Sequence, residues 1–481
     1  MVAQSEQTNA AMTDQRATLP TQTRMPEDAM RTLRDVFGDR LATGADARRQ
    51  HANTLTWLPE QSPDVVVWPT GVADVQALLE VARRHRLPVI PFGAGTSLEG
   101  QVNAPQGGIC VDFSRMNRIL RVSQEDFDVT VEAGLTLRDL QDGLRATGLY
   151  FPVDPGSPSA TIGGMAATRA SGTTTVRFGA MPENVLAVKA VLADGRIVET
   201  GTRARKSAAG YDLTRLFIGS EGTLALIVEL TLRLRPRPQA VQAGVVCFPS
   251  IGTAADATIA VLQSGITPDR IELLDAAMLA IANAQLGTAL PTAGPALFVE
   301  VSGTPAAAAE HMGAIVDVFR NFGGTLQGTA ESDAERRKLW RARHDAFLAV
   351  RRAYPGCSFI VTDVCVPISC LTTCLEETIA DLCEFGLPAP IVGHVGDGNF
   401  HALAVLDPAV GDCEIRAERV LDRLVRRAVA MGGTCTGEHG IGQGKACYLE
   451  LEAQTALPLM REIKRSLDPL GILNPGKIFR D

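Results

Sequence analysis

The stretch HVGDGNFH, residues 394 to 401, sets two imidazoles seven positions apart around Gly-Asp-Gly-Asn. Imidazoles ligate metals and carry protons near neutral pH. On one straight strand the two would lie far apart and on opposite faces, because side chains alternate and each residue advances about 3.3 Å. Asp397-Gly398, flanked by Gly396 and Asn399, is a tight-turn signal, and the apolar runs PAPIVGHV and FHALAVL beside it read as hairpin strands. Such a hairpin brings His394 and His401 together near its tip. A second stretch, TGEHG, places Glu438 next to His439, and Gly437 and Gly440 allow a bend that turns both side chains into one cavity. One of them can then ligate a metal while the other handles a proton. His394, His401 and Glu438 form a two-histidine, one-carboxylate set suited to Zn²⁺ or another divalent ion; the alternative is a hydrogen-bonded core cluster. A third stretch, LWRARHDA, offers Arg343, whose guanidinium suits a carboxylate. Its alternative is a solvated helix face shared with Arg336, Arg337, Lys338 and Arg341.

Two blocks of elements must position these groups. In DVVVWPTGVADVQALLEVARRHRLPVIPFGAGTS the order is strand, helix, strand and glycine loop, with Val75, Leu78, Leu79 and Ala82 on one helical face. GICVDF, DVTVEAG and VLAVKAVLADGRIVET add strands, the last a hairpin turning at Asp194-Gly195. The proline-punctuated LTLRLRPRPQA closes this block, so a second domain is expected to begin near residue 239. There QAGVVCF, RIELLD and ALFVEVSG read as strands alternating with helices near 252–264 and 305–322, a pattern suited to an α+β sheet with helices on one face. The expected division is a tail over 1–25, a first domain over 26–238 and a second over 239–481.

Length agrees with two domains, since 481 residues exceed the size at which a single core stops growing. No run of about 18 uninterrupted apolar residues is present, so a membrane span is not expected. Residues 1–25 are polar and Thr/Gln-rich, carry Glu6 and Asp14, and lack a hydrophobic signal core; they are expected to be a disordered tail. A net charge of −8 argues against nonspecific nucleic-acid binding, so an anionic substrate must be held by individual residues. The ten cysteines show no CxxC pair and read as reduced thiols, which points to an intracellular compartment. Iron–sulfur ligand runs are absent as well, so electrons leaving the chain must pass to something external.

Three glycine-rich segments, PFGAGTSLEG (91–100), PVDPGSPSATIGGMAATRASGTTTVRFG (152–179) and LFIGSEGTLALI (216–227), free backbone N–H groups to approach a pyrophosphate. No GxGxxG opens a helix after the first strand, so a Rossmann reading fails. The order of these segments, with RKSAAGYDLTRLFIGSEGTLALI and the terminal GILNPGKIF, resembles the FAD-binding domain of the vanillyl-alcohol oxidase and p-cresol methylhydroxylase superfamily, followed by its FAD-linked oxidase C-terminal domain. The resemblance covers about residues 50 to 481. FPVDPG, TDVCVPIS and GGTCTGEHGIG are most similar to the cytochrome-type, FAD-dependent D-lactate dehydrogenases. It implies an α+β fold: a two-subdomain p-cresol methylhydroxylase-type FAD domain, a ferredoxin-like α+β substrate or cap domain, and a C-terminal helical segment.

By the resemblance, Pro91, Gly93, Ala94, Gly95, Thr96 and Ser97 wrap the FAD pyrophosphate. Pro155, Thr161, Gly163, Gly164, Thr168, Ser171, Gly172 and Gly179 line the cofactor, Glu221, Gly222 and Ile227 meet its other end, and Asn474 sits near the flavin. The 91–100 loop has no histidine or cysteine for covalent attachment, so FAD is expected to be noncovalent. Arg169 departs from a family pattern that more often has Asn, and either reaches a phosphate or points to solvent. The metal set becomes His394, His401 and Glu438 holding zinc or manganese, and Arg343 alone becomes the substrate arginine. A 2-hydroxy acid must lose its hydroxyl proton, here to His439, and pass its Cα hydrogen as hydride to flavin N5. Implied partners are a small D-2-hydroxy acid, D-lactate first, and an external acceptor: cytochrome c, a quinone or a flavoprotein. A homodimer and a place in the cytoplasm or peripheral to an energy-transducing membrane are compatible with it. Relatives acting on D-2-hydroxyglutarate carry a lysine and a threonine where this chain has Val361 and Phe347, so dicarboxylates are expected to be disfavoured. The alternatives are a glycolate oxidase-type subunit, a D-2-hydroxyglutarate dehydrogenase-type enzyme, and a noncatalytic nucleotide- or metal-binding module.

Overall fold

The structure is a computed structural model that describes residues 25–52, 55–330 and 332–480. The tail expected over 1–25 lies, apart from Met25, outside the described residues. Val65–Val67 and Val89–Phe92 both run parallel to Ile109–Asp112, with Leu41–Ala42 antiparallel at the edge of a four-stranded sheet. The connecting helix Val72–His85 buries Val75, Leu78, Leu79 and Ala82 against it, the face expected from their spacing. Arg83, Arg84 and His85 occupy its last turn, where positive charge complements the helix dipole.

A second, five-stranded antiparallel sheet runs in the order Ile119–Ser123, Asp128–Glu132, Leu226–Arg233, Val185–Val191 and Ile197–Gly201. Leu226 and Val228 join the core of the first sheet, whereas Ile227, Leu230 and Leu232 join the core of the second. One strand thus ties two sheets together through its two faces.

The third sheet has eight strands, and its path is Thr325–Ala330, Ala240–Cys247, Ala296–Gly303, Arg270–Leu274, Ile391–Gly393, Asn399–Leu406 and Ser358–Val361, with Val364–Cys365 also pairing on Asn399–Leu406. Helices Ile251–Gln263, Pro305–Asn321, Leu371–Glu384 and Cys413–Ala430 pack on one face, in a core shared with Ile271, Leu273, Ala402 and Ala404. The expectation of helices on one face alone is corrected here. Ala276–Leu286, Asp333–His344 and Ala346–Ala353 contribute Met278, Trp340, Ala346 and Val350 to a second core on the opposite face, with Leu274, Phe359, Leu403 and Val405. Two-sided cover explains why every residue of Asn399–Leu406 is buried.

Near the end of the chain, Tyr448 of helix Ala446–Glu452 packs in the large-sheet core, whereas Ile463 and Leu467 of helix Leu457–Leu467 already pack against the core of the second sheet. Ile472 and Leu473 enter the core of the first sheet, and the Asn474 N–H donates to the Val89 carbonyl at 2.8 Å. Mixed sheets with helices on their faces give the α+β class expected from the sequence.

Candidate active site

The hairpin forms as its turn residues suggest. Val392 pairs with His401 across Ile391–Gly393 and Asn399–Leu406, and a single 3-10 turn over Val395–Asp397 closes at Gly398. Gly398 has φ 78°, and a Cβ there would lie 2.2 Å from the Val366 carbonyl oxygen, so only glycine fits. The two imidazoles meet edge to face with centroids 5.6 Å apart.

Both rings are fixed by hydrogen bonds on Nδ1. His401 Nδ1 donates to the Thr362 carbonyl at 2.9 Å, and His394 Nδ1 donates to Glu272 Oε1 at 2.8 Å. Each Nε2 then faces Glu438 Oε1, at 3.2 Å from His401 and 3.3 Å from His394. Carboxylate or carbonyl support behind a histidine is the arrangement that orients metal ligands. These three donor atoms lie within 4.8 Å of one another, a set that fits a divalent cation, with the Arg343 guanidinium 3.1 Å from His394 Nε2. A second cluster of Asp363, His401 and His439 is also close enough for one ion. It is the poorer donor set, because His401 Nδ1 carries the proton given to Thr362. Burial pushes the His394 imidazole down, yet Glu272 and Glu438 outweigh it and raise it to about 10. Against the upward push of burial, His394 and His401 hold the Glu438 carboxyl well below the usual range.

His439 stacks on His401 at a centroid distance of 5.0 Å. Its Nε2 lies 3.7 Å from Glu438 Oε1, and its buried Nδ1 has no hydrogen-bond partner. Burial pushes this imidazole down to about 4, which favours its neutral form at pH 7. The bend that aims Glu438 and His439 together is held by Asp363. Its carboxylate accepts the N–H groups of Glu438 and His439 at 3.0 and 2.9 Å, the Thr436 hydroxyl at 2.8 Å and the Lys445 ammonium at 3.3 Å.

Arg343 is buried, whereas Arg337, Lys338 and Arg341 on the same helix are exposed. Its Nε donates to Glu272 Oε2 at 2.6 Å and its Nη2 lies 3.1 Å from His394 Nε2. Burial sets Arg343 apart from Arg337, Lys338 and Arg341, which form a solvated face as the alternative reading had it. Phe347, Val361 and Leu403 form an apolar wall beside it, Val361 and Leu403 being direct cross-strand partners.

His394, His401, Glu438, His439, Arg343 and the apolar wall open onto one cavity of about 470 Å³, with Glu272 and Asp363 behind them. Its other wall is built from Pro91, Gly93, Ala94, Gly95, Thr96 and Ser97, from Pro155, Thr161, Gly163, Gly164 and Thr168, and from Glu221, Gly222, Ile227 and Asn474. Two observations fit a phosphate-bearing cofactor there. Ser97 Oγ is buried without a partner, and a Cβ on Gly93 would lie 2.2 Å from Thr161 Oγ1, so the glycine lets two of the cavity-lining loops pack against each other. Ser171, Gly172 and Gly179 are not on the wall. Ser171 instead donates to Glu438 Oε2 at 2.5 Å, Gly172 presses on the Asp154 carbonyl, and Gly179 ends the short helix Thr175–Phe178. Arg169 sits in the left-handed region at φ 60°, a conformation that Asn adopts more readily, and its side chain lies against Gly219.

Sequence reasoning missed Glu272, Asp363 and Leu403. The first two carried a signal: a carboxylate inside an apolar strand, as in RIELLD and IVTDV, must have a partner. Leu403 was marked only by its parity with His401.

Residues 63–201 match the FAD binding domain model, and residues 237–478 match the model for FAD linked oxidases, C-terminal domain. A probable mitochondrial D-lactate dehydrogenase of Danio rerio is 47% identical over 94% of this chain and 92% of its own. A mitochondrial D-lactate dehydrogenase [cytochrome] of Arabidopsis thaliana is 42% identical over 95% of this chain and 80% of its own. Among solved structures, p-cresol methylhydroxylase with substrate bound superposes with a TM-score of 0.77 at 18% identity, over 94% of this chain and 96% of that one.

Proposed function

The chain belongs to the FAD-linked oxidase family, and on that premise we propose that it oxidises a small D-2-hydroxy acid, D-lactate to pyruvate, with noncovalent FAD and a bound divalent metal. The observation that carries this reading is the single cavity with cofactor-loop glycines on one wall and His394, His401, Glu438, His439 and Arg343 on the other. FAD, held by the loops around Gly93, Gly163 and Gly222, supplies a two-electron acceptor for the Cα hydride. A zinc or manganese ion, held by His394, His401 and Glu438, supplies a Lewis acid for the substrate oxygens.

The chain's own side chains do the rest. His439 accepts the hydroxyl proton on Nε2, the nitrogen on the Glu438 side, and Asp363 Oδ2, 3.7 Å from Nδ1, steadies the resulting imidazolium. Arg343 holds the substrate carboxylate, with Glu272 fixing the guanidinium from behind. Electrons then leave to an external acceptor, a cytochrome in keeping with the name of the Arabidopsis relative, or a quinone or flavoprotein. No described helix is long and apolar enough to cross a membrane; our reading of location stays with the cytoplasm or the periphery of an energy-transducing membrane.

Phe347, Val361 and Leu403 set the substrate class. The three side chains themselves offer a second carboxylate no counter-charge, and each buried methylene beside them gains about 0.8 kcal/mol; the exposed Arg351, also on the cavity, has its guanidinium 5.9 Å from the Phe347 ring centroid. The test is kcat/KM for D-lactate, D-2-hydroxybutyrate and D-2-hydroxyglutarate with one acceptor, in wild type and Val361→Lys. Wild type favours the two monocarboxylates and Val361→Lys shifts toward the dicarboxylate; a wild-type preference for D-2-hydroxyglutarate overturns the pocket reading. Acid precipitation should release the yellow colour into the supernatant, and colour kept in the pellet contradicts noncovalent binding.

A further inference from the structure

We infer that Ser171 is a positioning residue that couples the cofactor and metal sites, so that FAD and the divalent ion each tighten the binding of the other. The inference rests on the FAD and metal assignments above and adds the link between them. Glu438 has two oxygens with separate duties. Oε1 faces the two histidine Nε2 atoms, and Oε2 accepts the Ser171 hydroxyl at 2.5 Å, within the range of a charge-assisted O–H···O⁻ bond. That bond sets the rotation of the carboxylate and so aims Oε1 at the metal position.

Ser171 belongs to a segment that is itself cavity wall. Thr168, Ala170 and Thr173 around it line the cavity. The segment is clamped from behind by Asp154, whose carboxylate accepts the Thr173 and Thr174 hydroxyls and the Thr174 N–H. A ligand that orders this wall therefore orders Ser171, and through it Glu438. Two further contacts run from the same wall to the same loop. Gln101 Nε2 donates to the His439 carbonyl at 2.7 Å, and Glu221 accepts the N–H groups of Ile441 and Gly442 at 2.6 and 2.8 Å. Residues 438–442 thus lean on the cofactor wall at several points, and Ser171 alone among them touches a metal-binding side chain.

Coupling between two sites is reciprocal, and typical factors run from about 5 to 150-fold. The experiment titrates FAD into apoprotein with and without saturating Mn²⁺, followed by flavin fluorescence, and titrates Mn²⁺ into apoprotein and FAD-loaded protein by calorimetry. The expected result is a tightening of about fivefold or more, equal in both directions. Ser171→Ala brings the factor close to one, and Ser171→Thr, which keeps the hydroxyl, restores it. Two ligands that bind wild type independently overturn this inference while leaving the FAD and metal assignments standing. A full factor in Ser171→Ala overturns the role of Ser171. Mn²⁺ that fails to bind at all overturns the metal assignment, and this inference falls with it.

Discussion

At the scale of residues, two kinds of side chain lie within a few ångströms of one another. His394, His401 and Glu438 converge as donors, whereas His439 stacks beside them with an unpartnered nitrogen. Replacing any of the first three by alanine removes a donor, so bound metal and turnover are lost together while FAD stays. His439→Ala keeps both ligands and slows flavin reduction by roughly 10² or more, the usual scale for a general base. Metal analysis and stopped-flow reduction on the four variants check this, and near-wild-type reduction in His439→Ala removes its role. The side chains proposed here were legible because their types announce chemistry and glycines mark the bends beside them. Their supports were less legible. Glu272, on strand Arg270–Leu274, and Asp363, between strands Ser358–Val361 and Val364–Cys365, come from segments more than thirty residues from the groups they hold, and only antiparallel pairing of Arg270–Leu274, Ile391–Gly393 and Asn399–Leu406 brings Glu272 behind His394.

At the scale of elements, strand parity decides which residues reach the cavity. His401 and Leu403 share one face of Asn399–Leu406, and Phe400, Ala402 and Ala404 the other. Periodicity and turn residues sufficed to place the helix Val72–His85 and the hairpins at Asp194-Gly195 and Asp397-Gly398. They did not reveal that both faces of the large sheet are covered, because a continuously buried strand shows no alternation. A small element near the first sheet offers a pH test away from the metal site. His51, following the helix Ala45–Gln50, pairs with Asp112 at 3.0 Å, and Trp68 Nε1 donates to the same carboxylate. Burial pushes the His51 imidazole down, but the hydrogen bond and charge of Asp112 outweigh it and raise it above 6.5. A raised folded value means that the pair's contribution is complete below pH 6.5 and is lost as pH rises through the folded value. The stability difference between wild type and His51→Gln, from denaturant titrations, therefore shrinks as pH rises above 6.5. A difference that grows over that window contradicts the pairing.

At the scale of the whole molecule, we propose a division near residue 239 with one amendment, that the last residues return to the first half. Ile472, Leu473 and Asn474 dock on Val89, beside the cofactor loop, and Asn474 Nδ2 donates to the carbonyls of Gln101 and Glu221. The cavity thus lies where the two halves meet, with cofactor residues from one and proton, metal and substrate residues from the other. This long-range return left its trace in the sequence only as GILNPGKIF, a motif whose meaning came from resemblance rather than from local pattern. The central claim is that both halves act on one substrate in one cavity, and anaerobic reduction of the bound flavin tests it most directly. D-lactate should bleach the flavin absorbance of the metal-loaded protein, L-lactate should not, and metal depletion should abolish the reaction until Zn²⁺ or Mn²⁺ is restored. Flavin that stays oxidised with D-lactate, or that bleaches at the same rate after metal removal, contradicts the account.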